Sequence, residues 1–110
     1  MSAIPAKTRR MVALRSDDVC EGCGKATATN IHHRQYVSRG GDNSLENLLH
    51  VCGLGGASGC HQVAHSGEGA EMGWSVASWD DPQHIPVLYR GELKWLTKWG
   101  SAIAVGTTEF

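Results

Sequence analysis

Four cysteines in two pairs constrain this chain more than any other feature of it. Cys20-Glu21-Gly22-Cys23 is a CxxC turn, and Cys52 and Cys60 form a wider pair across a glycine-rich spacer. Zinc takes four tetrahedral ligands, with sulfur at about 2.3 Å, and a CxxC turn delivers two thiolates from one tight bend. A redox CxxC needs a strand–helix context that this stretch lacks. The chain also needs a staple. It has 110 residues, 14 of them glycine, and a single phenylalanine. A domain of that size builds one modest core, and a structural metal is a standard supplement. The expectation is one zinc ion held by Cys20, Cys23, Cys52 and Cys60.

The opening MSAIPAKTRRMVALRS has no apolar run long enough for a signal peptide. No segment approaches the roughly 20 apolar residues of a membrane span. The expected compartment is cytoplasmic, with no membrane partner, where paired cysteines hold metal more often than they form disulfides. Net charge is −1, which excludes a strongly basic nucleic-acid binder, but the charge is polarised. Lys7, Arg9, Arg10, Arg15, Lys25, Arg34 and Arg39 face only Asp17, Asp18 and Glu21 in the first 39 residues. The remainder holds three basic and eight acidic side chains. Such a chain can offer one electropositive face to phosphates.

Residues 7–15 fit a short amphipathic helix or an extended arm, and the stretch is too short to decide. Residues 26–33 (ATATNIHH) are β-leaning and end on a histidine pair. A loop signalled by Gly40, Gly41, Asp42, Asn43 and Ser44 follows, and residues 48–52 (LLHVC) read as the returning strand. GLGGASG is a flexible turn, and residues 59–65 (GCHQVAH) a short helix. From Gly73 on, WSVASW, IPVLY and ELKWLTKW suggest a β-meander with Arg90-Gly91 as a hairpin turn, and GTTEF a frayed end. With one phenylalanine available, Trp74, Trp79, Trp95 and Trp99 are expected in the core.

Four of the six histidines fall in two pairs, His32-His33 and His61 with His65. HxxxH on a helix puts both imidazoles on one face, a common way to present two metal ligands. A third imidazole from a neighbouring strand would complete the set and leave positions open for water and phosphate. Adjacent residues on a strand point to opposite faces, so only one of His32 and His33 joins the metal while the other meets substrate from a different angle. That division suits metal-assisted hydrolysis. One group of side chains holds a Lewis acid, and another takes a proton from the attacking water. Histidine suits the base role because its ordinary pKa of about 6.5 lies near working pH. Cys60 and His61 are adjacent, which ties the two metal sites together.

The run IHHRQYVSRGGDNSLENLLHVC…GCHQVAH, framed by CEGC, resembles the HNH endonucleases with the ββα-metal finger. In particular it resembles the small HNH proteins of tailed bacteriophages, through the CG…GCH segment. The resemblance covers roughly residues 18–66. It implies an α+β fold, a small zinc-stapled ββα-metal finger with a C-terminal β-meander. In this division residues 1–17 form a basic arm or short helix, 18–66 the nuclease core and 67–110 a β extension packed on it. By the same resemblance His33 is the general base, and His32, His61 and His65 hold a catalytic divalent metal. Asn47 is the asparagine that pins the loop by backbone hydrogen bonds, so that the base is oriented.

The function implied is a metal-dependent endonuclease hydrolysing DNA, nicking by default because each chain has one site. Imidazole ligands suit Mn²⁺, Ni²⁺, Co²⁺ or Zn²⁺, whereas Mg²⁺ prefers oxygen. Arg34 and Arg39 flank the motif and are expected to contact phosphates beside the cut. His50 and His84 are expected to be structural or exposed. Phage resemblance adds the terminase or other packaging proteins as partners of a monomer or weak dimer, in the bacterial host. The alternative is a non-catalytic zinc-knuckle module that binds DNA.

Overall fold

A computed structural model describes residues 3–54 and 58–106. The chain folds as an α+β domain, and its elements follow from local chemistry. Helix α1 (Ala6–Ser16) decides between the helix and arm readings of the N-terminus. It contains no glycine or proline and starts directly after Pro5. It stops at Asp17, which turns left-handed (φ 55°) and donates its N–H to the Ala13 carbonyl at 2.8 Å. Its inner face is narrow. Val12 is buried and Met11 half-buried against Leu45 and Leu48.

A polar anchor supplements that face. Arg15 donates to both oxygens of Glu21 at 2.7 and 2.8 Å, and to the carbonyls of Leu45 and Leu48 at 2.9 and 2.5 Å. Glu21 is fully buried and also accepts the His50 backbone N–H at 2.8 Å. A buried ion pair is tolerable only when its remaining donors and acceptors are satisfied, and here they are. The pair joins α1, the CxxC turn and the second strand.

Strands β1 (Asn30–His33) and β2 (Leu48–Val51) form an antiparallel hairpin in the register His32↔Leu49 and His33↔Leu48. Helix α2 (Gly59–Ala64) follows, so the ββα order is present. Leu49 and Val51 enter the main core with Cys20, Cys60, Ala64, Trp74, Val87, Tyr89 and Leu96. Gly59 opens α2 at φ +62°, where a Cβ would stand 2.9 Å from the Cys52 carbonyl oxygen. Helix α3 (Gly67–Glu71) then leads to a separate antiparallel sheet of β3 (Val87–Tyr89), β4 (Glu92–Leu96) and β5 (Ala102–Ala104). The turn between β3 and β4 has positive φ at both Arg90 (50°) and Gly91 (87°), the requirement of a type I′ hairpin. Arg90 is held there by donating to the carbonyls of Cys20, Ser16 and Val19 at 3.1, 2.6 and 2.7 Å.

Three expectations need correction. Residues 74–79 are not a strand of the meander. The Trp74 and Ser75 N–H groups both donate to the Gly69 carbonyl and the Val76 N–H to that of Arg34, so no ladder forms. Of the tryptophans, only Trp74 is buried, while Trp79 and Trp99 are 84% and 77% exposed. Arg34 is not at the surface. It is fully buried, with Nε donating to the Gly73 carbonyl at 2.8 Å, Nη1 to those of Glu46 and Pro82 at 2.7 and 3.0 Å, and Nη2 to that of Ile85 at 2.7 Å. Burial, with the nearby charge of Arg15, brings its pKa down to about 9, so it stays a cation at neutral pH. It clamps one segment to another through four of its five N–H groups, and its burial withholds it from DNA. Of the frayed end expected over residues 106–110, all but Gly106 lies outside the described residues, as do residues 55–57 of the glycine-rich turn.

Candidate metal centres and active site

The sulfur atoms of Cys20, Cys23, Cys52 and Cys60 lie within 4.8 Å of one another, and none is in a disulfide. The CxxC turn brings the first two together. Gly22 is needed there because a Cβ would meet the Trp74 ring at 3.0 Å and the Cys60 Cβ at 3.2 Å. The Cys52 N–H points to the Cys20 sulfur at 3.3 Å, and the Cys60 N–H to the Cys52 sulfur at 3.4 Å. Such N–H groups stabilise thiolates around a metal. Burial and the neighbouring Cys20 thiol push the Cys60 thiol well up. Burial also raises Cys23, but hydrogen bonds from the Lys25 and Ala26 backbone bring it down to about 7. Four thiols packed this closely need a cation to ionise together, which the donor set and spacing fit for zinc.

The second cluster is His32, His61 and His65, whose ligand nitrogens also lie within 4.8 Å of one another. Strand β1 supplies His32, α2 supplies His61, and the residue that caps α2 supplies His65 one turn on. The Nε2 atoms of His61 and His65 face each other at 3.3 Å. Two nitrogens on one tetrahedral ion at about 2.0–2.1 Å stand roughly 3.3–3.4 Å apart, so the pair fits a shared metal. His32 is buried, and its Nε2 lies 2.7 Å from the Trp74 carbonyl oxygen. That carbonyl can only accept, so Nε2 carries the proton and Nδ1 keeps the lone pair. Burial, with repulsion from His61, His65 and His33, pulls the His32 pKa to about 4, and burial with His65 lowers His61 as well. Neutral imidazoles are what metal ligation requires.

His33 projects from β1 on the other side of the strand, yet it lines the same open cavity of about 280 Å³ as His32, His61 and His65. Its Nε2 is 2.8 Å from the Asn43 side-chain oxygen. Asn47 is buried beneath the loop. Its side-chain oxygen accepts the Gln35 N–H at 2.6 Å, and its amide donates to the carbonyls of Gln35 and Asp42 at 3.0 and 2.9 Å. These bonds fix both ends of the 35–42 loop and leave Asn43 one residue beyond it. Arg39 is exposed, its guanidinium 4.2 Å above the Tyr36 ring, and that ring lies 5.1 Å from His65. His50 is buried with Nδ1 2.7 Å from the Ser16 hydroxyl, and His84 is exposed beside Asp81, so both lie outside the cluster.

Sequence reasoning did not single out Asn43, Tyr36 or the Trp74 carbonyl. Asn43 sits in GGDNS, where asparagine reads as a turn residue. Nothing in the spacing of a backbone carbonyl 42 residues away could mark it as the partner of His32.

Residues 20–67, a little under half the chain, match the model of one protein family, described as HNH endonuclease. The matched segment, similar to HNH endonucleases, is the one that carries both side-chain clusters. No curated protein and no solved structure gave a significant match. No helix among the described residues is long and apolar enough to cross a membrane.

Proposed function

We propose that the protein is a metal-dependent endonuclease that hydrolyses phosphodiester bonds in DNA. The observation that carries the reading is the position of His33, which opens on the same cavity as the three-imidazole cluster while its own ring is held by Asn43. His32, His61 and His65 would hold a divalent cation, and Cys20, Cys23, Cys52 and Cys60 a structural zinc. When bound, the cation supplies Lewis-acid charge to the scissile phosphate and the departing oxygen.

The remaining work falls to the chain. With its Nε2 proton donated to Asn43, His33 presents the Nδ1 lone pair to a water in the cavity. Nδ1 takes a proton as the water oxygen attacks phosphorus, and the bond from phosphorus to the 3′-oxygen breaks. Asn47 keeps the loop, and through it Asn43, in place. Arg39 is the exposed cation beside the cavity and would pair with a backbone phosphate. One site per chain makes a nick the default product. The bacteriophage resemblance makes packaging proteins such as the terminase the first partners to try by co-purification.

The test is supercoiled plasmid incubated with zinc-loaded protein and added Mn²⁺, Ni²⁺ or Mg²⁺, beside His33→Ala. Metal-dependent nicking that disappears in the variant, with zinc content unchanged, is the expected result. Folded protein that shifts DNA but cuts with no metal would instead identify a binding module.

A further inference from the structure

A second cavity, of about 460 Å³, adjoins the histidine cluster and shares Tyr36 and His65 with the cavity above it. That volume is in the range of small-ligand pockets. Its outer wall is Trp79, 84% exposed in a chain short of large apolar side chains for its core. Its inner wall is Tyr36 with the Arg39 guanidinium laid over the ring. Arg39 is itself braced by donating to the Val76 carbonyl at 3.2 Å. Ser66, Ser75 and Ser78 also line it, and among the described residues no acidic side chain does, although the chain has 11 acids.

We propose that this pocket holds one unstacked nucleobase next to the scissile phosphate, so that the enzyme prefers DNA that is single-stranded or locally unpaired at the cut. The placement beside the cut rests on the nuclease reading above. Base recognition itself rests only on the pocket. An exposed indole and a guanidinium plane lining one cavity are groups on which a base can stack, and the guanidinium can also pair with its phosphate. Bases in an intact duplex have no free face to offer, so occupancy requires a base that has left the stack. Arg39 would then serve both purposes, with its plane on the aromatic side and its outer nitrogens toward the backbone.

The test compares wild type, Trp79→Ala, Trp79→Phe and Trp99→Ala. Trp99 is a similarly exposed tryptophan outside the pocket. Zinc-loaded protein without added divalent metal is titrated into a labelled single-stranded oligonucleotide and into its duplex, read by fluorescence anisotropy. Loss of one base stack predicts single-strand binding about tenfold weaker in Trp79→Ala, mostly restored in Trp79→Phe, with duplex binding changed less than about twofold. Trp99→Ala should match wild type on both. Equal single-strand affinity for Trp79→Ala and wild type would overturn the pocket, as would equal losses on single strand and duplex. The cleavage arm, run with Mn²⁺, separates the two readings. Cutting by every variant with an unchanged single-strand preference would discard the pocket and keep the nuclease. No cutting, with the binding loss intact, would keep the pocket and discard the nuclease.

Discussion

Asn43 holds His33 by a side-chain hydrogen bond of 2.8 Å, and the direction of that bond can be assigned. The Asn43 amide nitrogen lies 3.4 Å from the Ala3 carbonyl, so its oxygen is the atom turned to the ring. An oxygen there can only accept. His33 must carry its proton on Nε2, and Nδ1 is the free lone pair. Replacing Asn43 by Ala should lower kcat about 10- to 100-fold with little change in KM, by analogy with losses at residues that orient a catalytic ring. Asn43→Asp should recover part of the rate, because a carboxylate still accepts from Nε2, and should shift the acid limb of the pH–rate profile upward. An unchanged rate in Asn43→Ala would mean that the ring is oriented by something else.

Arg34 and Arg39 should separate stability from binding. Arg34→Lys leaves several buried carbonyls without donors and is expected to destabilise by about 3 kcal/mol or more. Arg39→Ala should leave the melting temperature within a degree or two and weaken DNA binding by roughly a factor of 3–10, the loss of one phosphate contact. Thermal melts beside binding titrations decide it. Normal stability in Arg34→Lys would contradict the clamp.

Metal identity tests the three-imidazole cluster. Cleavage should be faster with Mn²⁺, Ni²⁺ or Co²⁺ than with Mg²⁺, since nitrogen donors disfavour the harder ion. Equal or greater activity with Mg²⁺ alone would remove His32, His61 and His65 as a ligand set. Stripping the cysteine site should have a different consequence, loss of the folded state. Structural zinc contributes on the order of 10 kcal/mol to folding in small zinc domains. Cys52→Ser should therefore give protein with little secondary structure by circular dichroism.

The low pKa of His32 carries a stability signature in zinc-loaded protein with no second metal. Above about pH 6.5 the ring is neutral both folded and unfolded and contributes nothing to the pH dependence. Below that, the unfolded chain takes up a proton, and the buried ring resists until about pH 4. The unfolded state binds more protons across this window, so stability should fall by about 1.4 kcal/mol per pH unit on acidification. Urea titrations between pH 6.5 and 4.5 should approach this slope in wild type and show a shallower one in His32→Gln. Parallel slopes would refute it.

The cysteine and histidine clusters were legible in the sequence because their information is largely local. CxxC, HxxxH and a histidine pair at a strand end are short-range patterns, and each fixes geometry within one or two turns of chain. Arg34 was misread for the opposite reason. A basic residue after two histidines looks solvent-facing, and its acceptors come from Glu46, Gly73, Pro82 and Ile85, 12 to 51 residues away. Residues 74–79 alternate as a strand does, but alternation reports only that faces differ. Whether a partner strand lies alongside is a tertiary fact, and here Gly69 and Arg34 take the hydrogen bonds. The exposed Trp79 and Trp99 broke an argument from composition. The core turned out to be filled by Leu48, Leu49, Leu96 and buried valines, with Trp74 and Tyr89 as its large aromatics.

Because the Arg34 guanidinium rests on Gly73, Pro82 and Ile85, and His32 on the Trp74 carbonyl, the stretch recognised by its family likeness ends before the groups that hold it in shape. Residues 20–67 are not a portable cassette. Grafted onto another protein they would arrive with a buried cation stripped of most of its acceptors and a ring free to rotate. They would also leave behind the Arg90 brace on the first cysteine turn. The motif would have to be transplanted together with the segment through Arg90 that braces it.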